Sequence, residues 1–132
     1  MPVIVAGMAQ AGGNTARGRL GKRGEDLAVD HLRRQGYRVL ERNWRCARGE
    51  IDIVATDGSS LVFVEVKTRS SCDFGHPLES ITLVKLARLR SLALAWSLAH
   101  PESRGSLRID AIGVLAPYGK PFEVEHVMGV FS

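Results

Sequence analysis

Residues 50–69 read EIDIVATDGSSLVFVEVKTR: two runs rich in Ile, Val and Phe on either side of Asp57-Gly58-Ser59. The pattern predicts a β-hairpin with strands over 51–55 and 61–68 and a tight turn between them. Asp52, Glu65 and Lys67 interrupt the apolar runs, and a charge in a core-bound strand is costly unless it is paired or holds a metal. Alternation puts Phe63, Glu65 and Lys67 on one face of their strand, and Asp52 on the same face as Glu50 and Val54. A loop centred on 57–58 sets Asp52 opposite Phe63 with Glu65 diagonal, and one centred on 58–59 sets Asp52 directly opposite Glu65. A one-residue slip would part them, so the site depends on register.

Two opposed carboxylates repel, and the repulsion is relieved by a shared proton, a cation or solvent. Lys67 supplies one positive charge, and a hard divalent cation such as Mg²⁺ or Mn²⁺ supplies more through oxygen ligands. The order Asp52, then Glu65 and Lys67, suits metal-assisted phosphodiester cleavage, with Lys67 positioning water or stabilising developing negative charge. The plain structural alternative remains open at this point: Asp52 capping a bulge, and Glu65 with Lys67 as a surface ion pair of little energetic value.

Outward from the hairpin, a helix is predicted over 20–35, stopped by Gly36. Leu20, Gly24, Leu27, Ala28, His31 and Leu32 share one side of it, and Glu25 lies at the edge of that stripe. A first strand is expected over 37–44, a second helix over 78–99, and two late strands over 107–115 and 122–127. The order α-β-β-β-α-β-β predicts an α/β fold, a mixed central sheet of about five strands flanked by helices. Residues 1–17 read as a flexible leader and 18–132 as a single domain. The leader lacks the basic start and full apolar stretch of a signal peptide, and no segment reaches membrane-spanning length.

The formal net charge is +4 over 132 residues, and it is uneven. Between Arg17 and Arg48 stand ten Lys or Arg against four acids, a block suited to a polyanion or to a solvated helix face. Cys46 and Cys72 have no metal-ligand spacing and read as reduced thiols of a cytoplasmic protein. Trp96 lies in an Ala/Leu-rich helix and reads as core; Trp44, between arginines, suits either packing or base stacking.

The motifs GEIDIVA and FVEVKTR, preceded by GKRGEDLAVDHLRRQGY and NWR, resemble those of the YraN family of bacterial proteins. That family resembles the restriction-endonuclease-like superfamily and its archaeal Holliday junction resolvases, with their PD-(D/E)xK site. The resemblance runs from about Leu20 to the last strand and implies a restriction-endonuclease-like core. It implies a catalytic set of Glu25, Asp52, Glu65 and Lys67, of which Asp52, Glu65 and Glu25 hold the cation. Ile51 stands where the motif's name has Pro, a mild departure. Arg23 and Lys85 match family positions, and with Arg45, Arg48 and Arg69 they are candidates for contacting phosphate. Asp110, on a late strand shared with the family, reads as structural.

The expectation is a Mg²⁺- or Mn²⁺-dependent endonuclease acting on DNA rather than RNA, with branched or damaged DNA as substrate class. A resolvase-like action would favour a two-fold homodimer. The alternative is a nucleic-acid-binding module that retains the fold without turnover. A third reading, a metal-binding structural protein, needs the basic block to be incidental.

Overall fold

The computed structural model describes residues 3–8, 16–73 and 75–130. Its elements run β1 (Val3–Met8), α1 (Ala16–Arg34), β2 (Arg38–Cys46), β3 (Gly49–Thr56), β4 (Ser60–Arg69), a 3₁₀ turn (Pro77–Ser80), α2 (Leu83–Ala99), β5 (Ser106–Leu115) and β6 (Pro121–Val127). The strands form one sheet in the order β1-β6-β5-β4-β3-β2. Only β4 and β5 pair in parallel, as the intervening α2 crossover requires, and the other neighbours are antiparallel. The mixed sheet expected from the sequence is present, with β1 added at its edge. That strand lies inside the stretch read as a leader and pairs Val3 with Val124 and Val5 with Phe122. Residues 1–2 and 9–15 of that stretch lie outside the described residues.

The helices cover opposite faces. Leu27, Ala28, Val29 and Leu32 of α1 pack on Ile53, Ala55, Val62, Val64, Ile112, Val114, Phe122 and Val124. Leu86, Leu89, Leu92, Ala93 and Trp96 of α2 pack on Ile51, Val54, Leu61, Phe63 and Ile109. Near-continuous apolar β3 and β4 follow from this, because central strands covered on both sides need apolar side chains in both directions.

The ends of α1 and α2 fix how they meet the sheet. Gly36, at φ +91°, ends α1 with paired bonds from the Gly36 amide to the Arg33 carbonyl and from the Tyr37 amide to the Leu32 carbonyl. Gly24 faces β4 so closely that a Cβ there would stand 1.9 Å from Thr68 Oγ1. The second helix begins later than the expected residue 78, because Thr82 is extended and its hydroxyl accepts from the Lys85 amide at 3.2 Å. Pro77–Ser80 form their own 3₁₀ turn, capped by the His76 ring.

Asp110 is a fully buried carboxylate on the α1 side. Arg108 donates to both of its oxygens at 2.9 Å, the Gly129 amide to Oδ1 at 3.0 Å, and His126 Nε2 lies 2.7 Å from Oδ2. Burial alone would push this carboxyl up, but those hydrogen bonds from His126, Arg108 and Gly129 outweigh it and hold it below the usual carboxylate range. Arg108 also reaches Tyr37 and Asp57, so one buried anion ties β5, β6 and two loops together. The structural reading of Asp110 fits this position.

Candidate functional site

The β3–β4 pairing runs from Thr56↔Leu61 to Ile53↔Val64 and stops there. Continued by one step, that register sets Asp52 level with Glu65, the arrangement expected from a turn centred on 58–59. Instead of continuing the ladder, the Val66 amide donates to Asp52 Oδ2 at 2.8 Å. The strands therefore fork where the apolar runs are interrupted, and a carboxylate fills the gap. The turn holding this register is built by Asp57, whose Oδ1 accepts from the Ser59 and Ser60 amides at 2.9 and 2.7 Å, with Gly58 at φ +101°.

Above the fork, on the α2 side, lies a cleft of about 320 Å³ lined by Glu50, Asp52, Glu65, Lys67, Lys85 and Arg88, with Leu89 and Leu92 as its apolar wall. Glu65 is pushed up from 4.5 to about 8, first by burial, then by the charge of Asp52 and by their mutual hydrogen bond, while Lys85 and Lys67 pull the other way. Asp52 is also raised, by burial above all, against the lowering effect of the Val66 amide and the Glu65 hydrogen bond. With both carboxyls raised, the pair favours holding a proton between them, one of the three ways such a pair can be relieved. Among the described residues no three His, Cys, Asp or Glu side chains stand ready as a metal cluster.

On the α1 side of the fork a second groove, about 580 Å³, is lined by Gly18, Gly21, Lys22, Glu25, Arg42, Asn43, Arg45 and Glu50. Glu50 thus lines both spaces. Asn43, at φ +53° and level with Asp52 in β2, donates its amide to Glu25 at 3.0 Å and to Glu50 at 3.1 Å in the orientation both carboxylates require. Glu25 is raised from 4.5 to about 7 by burial first, then by Asp52, with Arg42 opposing. Carboxylates from α1, β3 and β4 therefore line the two spaces that flank the fork, Asp52 and Glu65 in the cleft, Glu25 in the groove and Glu50 in both.

Of the residues singled out in the sequence, Asp52, Glu65, Lys67 and Lys85 meet in the cleft. Glu25 stands behind them in the adjoining groove, where it feels the charge of Asp52. Arg45 lies at that groove in a 2.6 Å ion pair with Glu50. Arg23 is elsewhere on α1, over the Phe122 ring at 5.8 Å. Arg48 is exposed in the β2–β3 turn, and Arg69 ends β4, half-buried. Trp96 is core, donating Nε1–H to Glu41 at 3.0 Å and stacked on His100, and Trp44 packs against the same apolar cluster. Sequence reasoning passed over Arg88, Glu50 and Asn43 as site residues. Arg88 follows Lys85 by three residues, and that helical spacing was the available signal.

Fold and cleft define an α/β protein whose mixed sheet splits at one point to present a carboxylate pair among cations. The chain belongs to the uncharacterised protein family UPF0102, whose signature matches residues 24–114; the YraN resemblance read from the motifs holds at the level of family. Relatives include a UPF0102 protein of Clavibacter michiganensis subsp. michiganensis, 54% identical over 82% of this chain and 92% of that one. Another, from Renibacterium salmoninarum, is 51% identical over 84% and 94%. Among solved structures, Pyrococcus furiosus SfsA in complex with Ca²⁺ aligns at TM-score 0.39 and 15% identity, over 95% of this chain and 76% of that one. Among the described residues no helix is long and apolar enough to cross a membrane.

Proposed function

We propose that the chain is a Mg²⁺- or Mn²⁺-dependent endonuclease that hydrolyses phosphodiester bonds in DNA, with branched or damaged DNA as its substrate class. The observation that carries this reading is the proton-sharing pair Asp52 and Glu65 facing Lys67, Lys85 and Arg88 across one cleft. The resemblance of its motifs to the restriction-endonuclease-like superfamily supports the same reading.

The donor set fits a hard divalent cation: two carboxylates whose mutual repulsion Lys67 and Lys85 offset only in part have oxygen donors and charge to offer it. Asp52 and Glu65 would hold the ion, and Glu25 and Glu50 lie close enough to add negative charge behind it. A cation bound there supplies Lewis-acid polarisation of a phosphoryl oxygen. The Val66 amide keeps the Asp52 carboxylate aimed into the fork. Lys85, set in the first turn of α2 by the Thr82 cap, and Arg88 offer donors to non-bridging phosphate oxygens. Lys67, on the face of Glu65, orients the attacking water or stabilises the charge that develops on the leaving oxygen.

A second reading, a nucleic-acid-binding module without turnover, is favoured by the hydrogen bond between Asp52 and Glu65, which leaves no preformed ligand cluster among the described residues. One experiment separates the two. Purified protein and its Glu65→Ala variant are incubated with labelled single-stranded, duplex, flap and four-way-junction DNA and with RNA, in Mg²⁺, in Mn²⁺ and with chelator. Metal-dependent cutting by the wild type, reduced at least a hundredfold in the variant while binding persists, is the expected result. Cutting retained by the variant would sink the assignment of the site, and salt-sensitive binding with no cutting on any substrate would favour the module.

A further inference from the structure

The outer face of α2 carries apolar side chains that nothing among the described residues covers. Leu83, Val84, Leu94 and Leu98 are 74, 69, 52 and 84% exposed. Val84, Ala87, Ser91, Leu94 and Leu98 follow the 3-4-3-4 spacing of a helix-packing seam and fall within roughly 80° of arc on a 3.6-residue helix. That arc is opposite the stripe of Leu86, Leu89, Ala93 and Trp96 that packs on the sheet. A helix at the surface ordinarily turns polar residues outward, so a second apolar stripe needs a second covering.

We infer that this face packs on the α2 of a second copy of the chain, antiparallel and about a two-fold axis beside Ser91. In that pairing Leu98 of one copy lies beside Val84 of the other and Leu94 beside Ala87, so large side chains meet smaller ones at both ends of the seam and Ser91 meets Ser91. Such self-complementarity is what an isologous contact requires. Val84, Leu94 and Leu98 of the seam, with Leu83 at its border, leave on the order of 500 Å² in water, as large as the biggest patch on a typical monomer. Two such faces together remove about 1,000 Å² before flanking residues are counted, the scale at which specific interfaces begin. The aliphatic stems of Arg88 and Arg90 border the seam and extend its cover. Lys85 lies further round the helix, on the side of the cleft, and Arg88 stands between the seam and the cleft. The pairing does not depend on whether the cleft cuts nucleic acid.

The test is the mass of the full chain in solution, measured by light scattering after gel filtration from micromolar to near-millimolar concentration. The expected mass is twice the 14.4 kDa of one chain at the upper end, falling to one chain in the double variant Leu94→Glu, Leu98→Glu. Both positions are exposed, so the variant should keep the wild-type melting temperature and circular dichroism. As a second measurement, Ser91→Cys in a Cys72→Ser background should give a covalent dimer with a short bismaleimide, where the same background without Ser91→Cys gives none. A wild-type monomer throughout overturns the proposal, and so does a dimer that survives the double variant or resists cross-linking at position 91. A monomer whose α2 face instead binds anionic vesicles or an acidic helical peptide overturns it as well.

Discussion

Glu65 couples the site to pH through a sign that can be worked out. Its carboxyl rises from 4.5 to about 8 in the folded chain, mainly through burial and then through Asp52. Between those values the folded state keeps a proton that the unfolded state has released, so stability is full below about pH 4.5 and falls as pH rises toward 8. Glu25, raised to about 7, contributes with the same sign. The slope belongs to the Asp52–Glu65 pair rather than to either residue alone. In chelator, the melting temperature of the wild type should fall between pH 5 and 8.5, and Glu65→Gln, which cannot ionise, should flatten that fall and melt higher than wild type at pH 8.5. Added Mn²⁺ should raise the wild-type melting temperature more at pH 8.5 than at pH 5. Parallel pH profiles for the two proteins would show that the buried pair carries no such charge. At this scale the sequence was informative about Asp52, Glu65 and Lys67, because hairpin register depends on local turn chemistry that Asp57-Gly58-Ser59 displays. It was silent on Asn43, and it placed Glu50 on the face of Asp52 without giving it a part in the site. Their roles come from a left-handed backbone position in β2 and from the fork between β3 and β4, neither of which leaves a periodic trace.

At the scale of elements, the position of Glu25 is decided one residue earlier. Gly24 lets α1 approach β4 until only a hydrogen fits beside Thr68, and the helix turn that makes this contact carries Glu25 to the fork. Gly24→Ala would place a methyl 1.9 Å from Thr68 Oγ1 and 2.9 Å from its Cβ, so α1 must move away from the sheet. Overpacking of this kind costs typically 1–3 kcal/mol, about what denaturant unfolding should report for Gly24→Ala. If α1 lifts as a unit, Thr68→Gly should recover part of that loss in the double variant, and nuclease activity, if the proposed site is right, should fall even where the fold persists. A Gly24→Ala chain as stable as wild type would mean that Thr68 turns aside at no cost and that the helix is positioned by other contacts. Gly24 was visible in the sequence as part of the apolar stripe of α1, yet a small residue there does not announce which strand it touches. The late start of α2 has a similar cause: the helix expected over 78–99 breaks at Thr82, where a side-chain cap and an extended Ile81 set the first turn.

Across the whole molecule, the basic block of the first helix and strand suggested where a polyanion would lie, and the fold redistributes that charge. Arg42 and Lys22 turn to Asp26, at 2.7 and 3.9 Å, Arg45 to Glu50, and Arg23 to the Phe122 ring. Cations over the carboxylate pair come instead from α2 and β4, far along the chain, as Lys85, Arg88 and Lys67. Charge counted along a sequence cannot show this, because the packing of strands and helices decides which cations face the cleft. The edge strand β1 was missed for a related reason, since its order comes from pairing with β6 and not from its own short run. A proposed nucleic-acid contact at the cleft then has a quantitative signature. Each phosphate neutralised contributes about 0.7 to 0.9 to the slope of log affinity against log salt. Lys85→Gln and Arg88→Gln should each lower the slope by roughly that amount on every sequence tested, while Arg23→Gln should leave it unchanged. Fluorescence anisotropy of labelled DNA from low to moderate salt, with chelator to prevent cutting, measures all three. Equal losses from all three variants would mean that binding follows net charge over the whole surface, and the cleft would then have no special claim on the phosphate backbone.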